Sequence, residues 1–291
     1  MLKLNQKKLS YTFDRCQQCG ICYAVCPENA ISLSLRHDGL HDIKINAALC
    51  IACGKCVRSC PANKEYGYEG YFDGFAQKKY YLGYHADNRI RRESSSGGVC
   101  KTLIIDSLKN GMVDGAYSLK CTDSFPFAQG EFYTREHIPS FGDMPNSVYH
   151  SVMACTEIDR IQPCKRLMLV GTACQLRALN SIIKDKCDEV VRVCIFCKQQ
   201  KTLDSTRFLA KMMGTSVPPN LKFRPRYRGD GWPGIVRVDG FELPWNRAAQ
   251  IPFGKRLWTV PGCGICGDSF GREAGAVSYT HLRAHETKAN L

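Results

Sequence analysis

The sequence predicts an α+β protein in two parts: a small cysteine-bound domain, then a larger α/β domain with a mixed sheet. Three observations predict it. One cysteine pattern occurs twice near the start, strand and helix periodicities alternate afterwards, and Arg166 to Gln175 reads as strand, glycine turn and helix. A length of 291 residues with 44% hydrophobic content suits about two domains with ordinary cores.

The first copy of the pattern places Cys16, Cys19, Cys22 and Cys26 before Pro27, and the second places Cys50, Cys53, Cys56 and Cys60 before Pro61. Cys-x2-Cys-x2-Cys-x3-Cys-Pro, twice, is the bacterial run that holds a pair of [4Fe-4S] clusters. Three cysteines at two-residue intervals let a tight loop wrap one cluster, and the fourth reaches the other cluster. The expected sets are therefore Cys16, Cys19, Cys22 and Cys60, and Cys50, Cys53, Cys56 and Cys26. Pro27 and Pro61 keep the fourth cysteine out of a regular helix, and Gly20 and Gly54 supply matching conformational freedom. Between the copies, Ala30–Leu35 and Asp42–Ile45 alternate about His37-Asp-Gly39 as a hairpin. A structural zinc site is the alternative, but it gives no reason for a third cysteine and a Cys-Pro in each copy. Disulfides fit less well still, because Met1 to Lys8 lacks the apolar core of a signal peptide.

Eighteen cysteines in such a chain point to thiolate chemistry in a reducing, cytoplasmic compartment, and no apolar run approaches the roughly 20 residues of a membrane span. The formal charge of +13 suggests nucleic acid at first sight. Each cluster with four thiolates carries about −2, so two or three clusters cancel roughly 4 to 6 charges. The remainder gathers at Lys222–Arg228 and at Arg89, Arg91 and Arg92, which suits a phosphorylated ligand or a solvated face. With few aromatics interleaved, nucleic acid is not the expected partner.

Residues 64–84 are rich in Gly and Tyr and read as a connector, with Lys79–Tyr84 beginning a strand. Glu93-Ser94-Ser95-Ser96-Gly97-Gly98 opens a helix from Val99 to Leu108 that ends at Asn110-Gly111. A Ser/Gly loop at a helix start offers backbone N–H groups to a phosphate, or merely caps the helix. Val113–Leu119 and Glu131–Thr134 read as strands, Val148–Ile161 as a helix, and Arg166–Val170 as a strand running into Gly171, Thr172, Ala173 and Cys174. The strand Glu189–Ile195 ends at Cys197, so two cysteines stand at strand carboxyl ends, where α/β folds bind ligands. Leu203–Met213 reads as a helix and Gly234–Val238 with Asp239-Gly240 as strand and hairpin. Cys263-x2-Cys266 alone is redox-active, zinc-binding or half of a cluster site.

Ser94–Gly98, Gly171–Gln175, Cys197, Phe223–Trp232 and Cys263-x2-Cys266-x-Asp268, in this order, resemble the coenzyme F420 hydrogenase/dehydrogenase beta-subunit family. The resemblance runs from about residue 75 to 274. It implies a bacterial-ferredoxin-like dicluster domain followed by an α/β flavin-binding domain, divided as 1–72 and 73–274, the latter in parts 73–162 and 163–274. It implies FAD at Ser94, Ser95, Ser96, Gly97, Gly98, Gly171 and Thr172, and a third [4Fe-4S] cluster on Cys174, Cys197, Cys263 and Cys266. Cys194, near Cys197, is an alternative ligand. Cys100, Cys121 and Cys155 read as buried thiols, and Cys164 and Cys187 stay unassigned. Ala173 stands where the family usually has proline. After Arg272 the chain departs from the family, and 275–291 resembles translated adapter read-through on a truncated gene. The function implied is an oxidoreductase of anaerobic metabolism, passing electrons between clusters and FAD and on to coenzyme F420 or another hydride acceptor. A ferredoxin or hydrogenase or dehydrogenase subunits would be its redox partners. A flavin-free electron-transfer subunit is the alternative.

Overall fold

The computed structural model describes residues 2–5, 8–11, 14–63, 79, 81–148, 150–183, 185–214, 226–227, 235–238, 241–248, 250–268 and 277–279. Strands β1 (Leu2–Asn5) and β2 (Lys8–Tyr11) pair antiparallel before the first cysteine. The first cysteine loop enters α1 (Ile21–Ala24), and β3 (Ile31–Leu35) with β4 (His41–Ile45) forms the expected hairpin, Leu33 opposite Ile43. The second loop enters α2 (Lys55–Ser59). Both short helices start at a left-handed glycine, Gly20 at φ 86° and Gly54 at φ 73°. Two residues before each, Gln18 and Ala52 both take φ 54°. The sequence repeat is thus a backbone repeat, closed over a core of Cys16, Cys22, Ile31, Ile43 and Cys56.

The larger part continues through α3 (Asn88–Glu93), α4 (Val99–Lys109), β5 (Gly115–Cys121), β6 (Ala128–Thr134), β7 (Cys164–Thr172), α5 (Ala173–Ile183), β8 (Cys187–Ile195) and α6 (Leu203–Met212). It then runs through β9 (Arg226–Tyr227), β10 (Ile235–Val238), β11 (Phe241–Pro244), α7 (Trp245–Ala248), α8 (Gln250–Gly254), α9 (Pro261–Gly264) and β12 (Val277–Tyr279). Five strands form the main sheet in the order β12-β8-β7-β5-β6, parallel except for the β5/β6 pair. Alternation along β7 builds two cores from one strand. Leu167 and Leu169 join Leu176, Leu179 and Ile183 of α5 on one face, whereas Met168 and Val170 join Ile104, Ile105 and Leu108 of α4 on the other.

Cys19 and Ile21 of the first cysteine loop belong to the α5-side core. The small domain is therefore docked into the larger one, and Ile21, almost wholly buried, contributes about 1.5–3 kcal/mol to that contact.

Two expectations fail. The helix expected over Val148–Ile161 is absent except for a single 3₁₀ turn at Ile158–Arg160. Its amides are engaged elsewhere: Ser151 N–H donates to Lys201 O, Cys155 N–H donates to Cys19 O, and Met153 sits at φ 56°. Lys79 and Tyr81–Tyr84 form no strand. The boundary at 72/73, most of the connector and most of Phe223–Trp232 lie outside the described residues. Within the segment 275–291, Val277–Tyr279 pairs in parallel with Val193–Ile195 of β8, and the rest lies outside the described residues. Among the described residues, no helix is long and apolar enough to cross a membrane.

Candidate functional site

The two N-terminal thiol sets assemble crosswise. Burial first, and then the nearness of Cys19, Cys16 and Cys60, hold the Cys22 thiol well above its ordinary value. Burial with Cys19 and Cys16 nearby pushes Cys60 up to about 11. In the other set, burial with Cys26 and Cys53 nearby pushes Cys56 up to about 11. Cys26, Cys50, Cys53 and Cys56 ring one small cleft. Each loop thus receives the fourth cysteine of the other copy. The setting differs: Cys16, Cys19 and Cys22 are buried, whereas Cys53 is exposed and Cys50 and Cys26 are half-buried. Among the described residues, no three His, Cys, Asp or Glu side chains converge as tightly as a single metal ion needs. A [4Fe-4S] cluster takes four thiolate donors and each crossed set supplies four, so the donor chemistry fits clusters.

The later cysteines form a third group. Cys174 begins α5 at the carboxyl end of β7, Cys197 follows β8, and Cys263 and Cys266 lie at and just after α9. Burial and then Cys263 raise the Cys174 thiol, with Cys19 and Cys266 adding to the effect. Burial and then Cys174 and Cys266 push Cys197 up to about 12. Burial and then Cys197 push Cys263 up to about 12, while the Gln200 N–H donates to its Sγ at 3.4 Å. Cys194 lies near enough to add to the Cys197 shift, and its own thiol is pushed up to about 12 by burial and then by Asp268. Asp268 forms a buried ion pair with Arg177 of α5, which ties the 263–266 loop to the helix that carries Cys174.

This third group abuts the first loop. Gly262 N–H donates to Cys16 O at 3.0 Å, and a Cβ there would lie 2.4 Å from Arg15 O, so only glycine permits the approach. Cys155, expected to be merely buried, donates its N–H to Cys19 O at 2.9 Å, and its side chain hydrogen-bonds the Cys19 thiol, the largest cause holding that thiol well above its ordinary value.

A cavity of about 1080 Å³ opens on the other side of the group, with Cys197 in its wall. Ser94, Ser95, Ser96, Gly98, Gly171 and Thr172 line it, as do the apolar Val170, Ile195, Trp245 and Phe253. Gly97 shapes the same turn at φ 70°. Gly98 caps α4 in the left-handed region and has no side chain of its own to cap the first-turn amides, a cradle suited to an anionic oxygen. The Gln175 side chain accepts from Thr172 N–H at 2.9 Å and braces the β7/α5 turn, and Thr172 Oγ1 lies 3.3 Å from Cys174 Sγ. Arg89, Arg91 and Arg92 do not line the cavity; among the described residues its basic ones are Lys101 and Lys198. Sequence reasoning missed Lys101, although its place three residues after Gly98 put it in the first turn of α4. Its amine donates to Phe141 O and Met144 O.

Residues 15–64 and 42–96 match two families described as 4Fe-4S dicluster domains, and 80–136 match coenzyme F420 hydrogenase/dehydrogenase, beta subunit N-term. NADH-quinone oxidoreductase subunit I 2 of Geobacter metallireducens is 32% identical over 65 residues, 21% of this chain and 50% of that protein. Ferredoxin-type protein NapF of Haemophilus influenzae is 39% identical over 46 residues, 16% of this chain and 26% of that protein. The chain thus spans half or less of the length of these relatives. A chain from the xenon-derivatised F420-reducing [NiFe] hydrogenase complex of Methanosarcina barkeri superposes with a TM-score of 0.49 at 16% identity, over 68% of each chain.

Proposed function

We propose that this chain, which pairs a 4Fe-4S dicluster domain with a segment similar to coenzyme F420 hydrogenase/dehydrogenase beta subunits, is an iron–sulfur flavoprotein oxidoreductase. The observation that carries the reading is the position of the third thiol group, against Cys16 of the first loop on one side and in the cavity wall through Cys197 on the other. Cys50, Cys53, Cys56 and Cys26 would hold the outer cluster, Cys16, Cys19, Cys22 and Cys60 the inner one, and Cys174, Cys197, Cys263 and Cys266 a third. The exposed Cys53 edge is where a ferredoxin or a hydrogenase or dehydrogenase subunit would exchange electrons.

Clusters supply one-electron relay and FAD joins it to two-electron hydride chemistry. The chain's own residues bind and orient. Ser94–Gly98 and the amides of α4 receive phosphate oxygens, the Gly171–Thr172 turn admits close approach, and Trp245 and Phe253 offer flat apolar walls that exclude water. At about 1080 Å³ the cavity stands just above the roughly 300–1,000 Å³ of small-molecule sites, so a dinucleotide fits better than a metabolite. The buried Arg177–Asp268 pair holds two of the three segments of the third group in register. The acceptor is coenzyme F420 or another hydride acceptor, and the setting is anaerobic cytoplasm.

Anaerobic purification followed by acid extraction tests the reading. FAD released in about equimolar amount with the chain supports it. A cluster-loaded protein without flavin, whose cavity takes up no added FAD, reduces it to an electron-transfer subunit.

A further inference from the structure

Cys164 and Cys187 belong to none of the three thiol groups. They are the first residues of the parallel neighbours β7 and β8, directly paired in register. Their sulfurs lie 3.2 Å apart and both residues are half-buried. The frame around them is fixed: Cys164 N–H donates to Lys186 O at 3.2 Å, and the Lys186 amine donates to Ile161 O at 2.8 Å. Cys174 lies past the opposite end of β7, roughly 26 Å of strand away at about 3.3 Å per residue, so the pair stands apart from the third thiol group. Adjacent strands stand about 4.8 Å apart, inside the Cα separation of about 4.4–6.8 Å that a disulfide accepts.

We propose that Cys164 and Cys187 form a reversible dithiol/disulfide couple, a modification site that takes small-molecule or protein disulfides as its oxidant. One cysteine sulfur attacks the oxidant, forming a mixed disulfide and releasing one thiol. The second cysteine attacks that mixed bond; the Cys164–Cys187 bond forms, the mixed bond breaks, and a second thiol leaves. The two cysteines lose two electrons and two protons, and one small disulfide becomes two thiols. The product staples the starts of two central strands while leaving the twelve proposed cluster thiolates untouched. Burial and the adjacent Cys187 push the Cys164 thiol up to about 12, so the couple follows sustained oxidising poise rather than brief exposure.

The test equilibrates the full, cluster-loaded chain anaerobically with glutathione buffers of rising oxidised fraction, then quenches, alkylates and digests with trypsin. Cleavage after Arg160, Lys165, Lys186 and Arg192 isolates 161–165 and 187–192. The expected result is a linked pair of these peptides in most chains at a poise where Cys100 and Cys121 remain alkylated. Both peptides carrying the alkyl label in every buffer, or a link formed only after unfolding, overturns the proposal. A C164S/C187S chain is expected to keep its full iron content; loss of iron would assign the pair to a cluster and overturn it equally.

Discussion

The two cysteine loops are near copies in spacing and in backbone, down to φ 54° at Gln18 and Ala52 and the left-handed Gly20 and Gly54, yet their settings are opposite. The first loop is walled in by Cys155, Gly262 and the α5-side core, and the second is open at Cys53. Identical local chemistry has therefore been given a direction by what packs on it. A thiolate motif specifies the donor set, whereas tertiary contacts specify which copy is enclosed and which stays open to solvent.

The largest effect expected comes from breaking what encloses the first loop. Asp268→Ala leaves Arg177 as a buried uncompensated charge, a loss of about 3–5 kcal/mol. Denaturant titration should show it, with about 4 irons per chain lost as the 263–266 loop comes away. Exchanging one thiolate in each loop sharpens the contrast. Cys19→Ser and Cys53→Ser should each remove about 4 irons. The buried Cys19 should cost about 1–3 kcal/mol more in thermal unfolding, because serine puts a polar hydroxyl into the apolar α5-side core.

Acidification probes the packing beside the enclosed loop. His150 is fully buried, its Nδ1 at 2.9 Å from Thr206 Oγ1 and its Nε2 at 2.8 Å from Pro126 O, and burial lowers its pKa to about 4. The unfolded chain, with an ordinary histidine near 6.5, binds the proton first as pH falls. Stability is therefore full above about 6.5 and declines between about 6.5 and 4, by about 3 kcal/mol in all. His150→Gln should flatten that slope in urea midpoints measured across the interval. The smallest effect separates the two glycines. Gly20→Ala and Gly54→Ala each force alanine into the left-handed region at about 1–2 kcal/mol. A methyl at Gly20 would also stand 2.8 Å from Thr156 Cγ2 and 3.0 Å from Met153 O, so Gly20→Ala should have the lower melting temperature.

Much of this was legible in the chain. The crossed cysteine sets follow from spacing, α5 and α6 follow from helical periodicity, and β5, β7 and β8 from apolar runs bounded by turn residues, β7 being buried on both faces. The Val148–Ile161 segment was not legible as irregular, since its apolar spacing is helical while its amides are drawn to Cys19 and Lys201, partners remote in sequence. Nor could the sequence foresee that Gly262 packs on Cys16, or that Arg177 meets Asp268 across 91 residues. Lys101 in the cavity wall shares that character, because a lysine in a first helical turn reads as solvated until the loop carrying Phe141 and Met144 closes over it.

On the proposed reading, the third thiol group carries a cluster between the enclosed loop and the cavity. Iron and flavin counted on the same anaerobic sample test it most directly. About 12 irons and about one FAD per chain are expected, falling to about 8 irons in Cys197→Ser. About 8 irons in the unaltered chain, unchanged by that substitution, would contradict it.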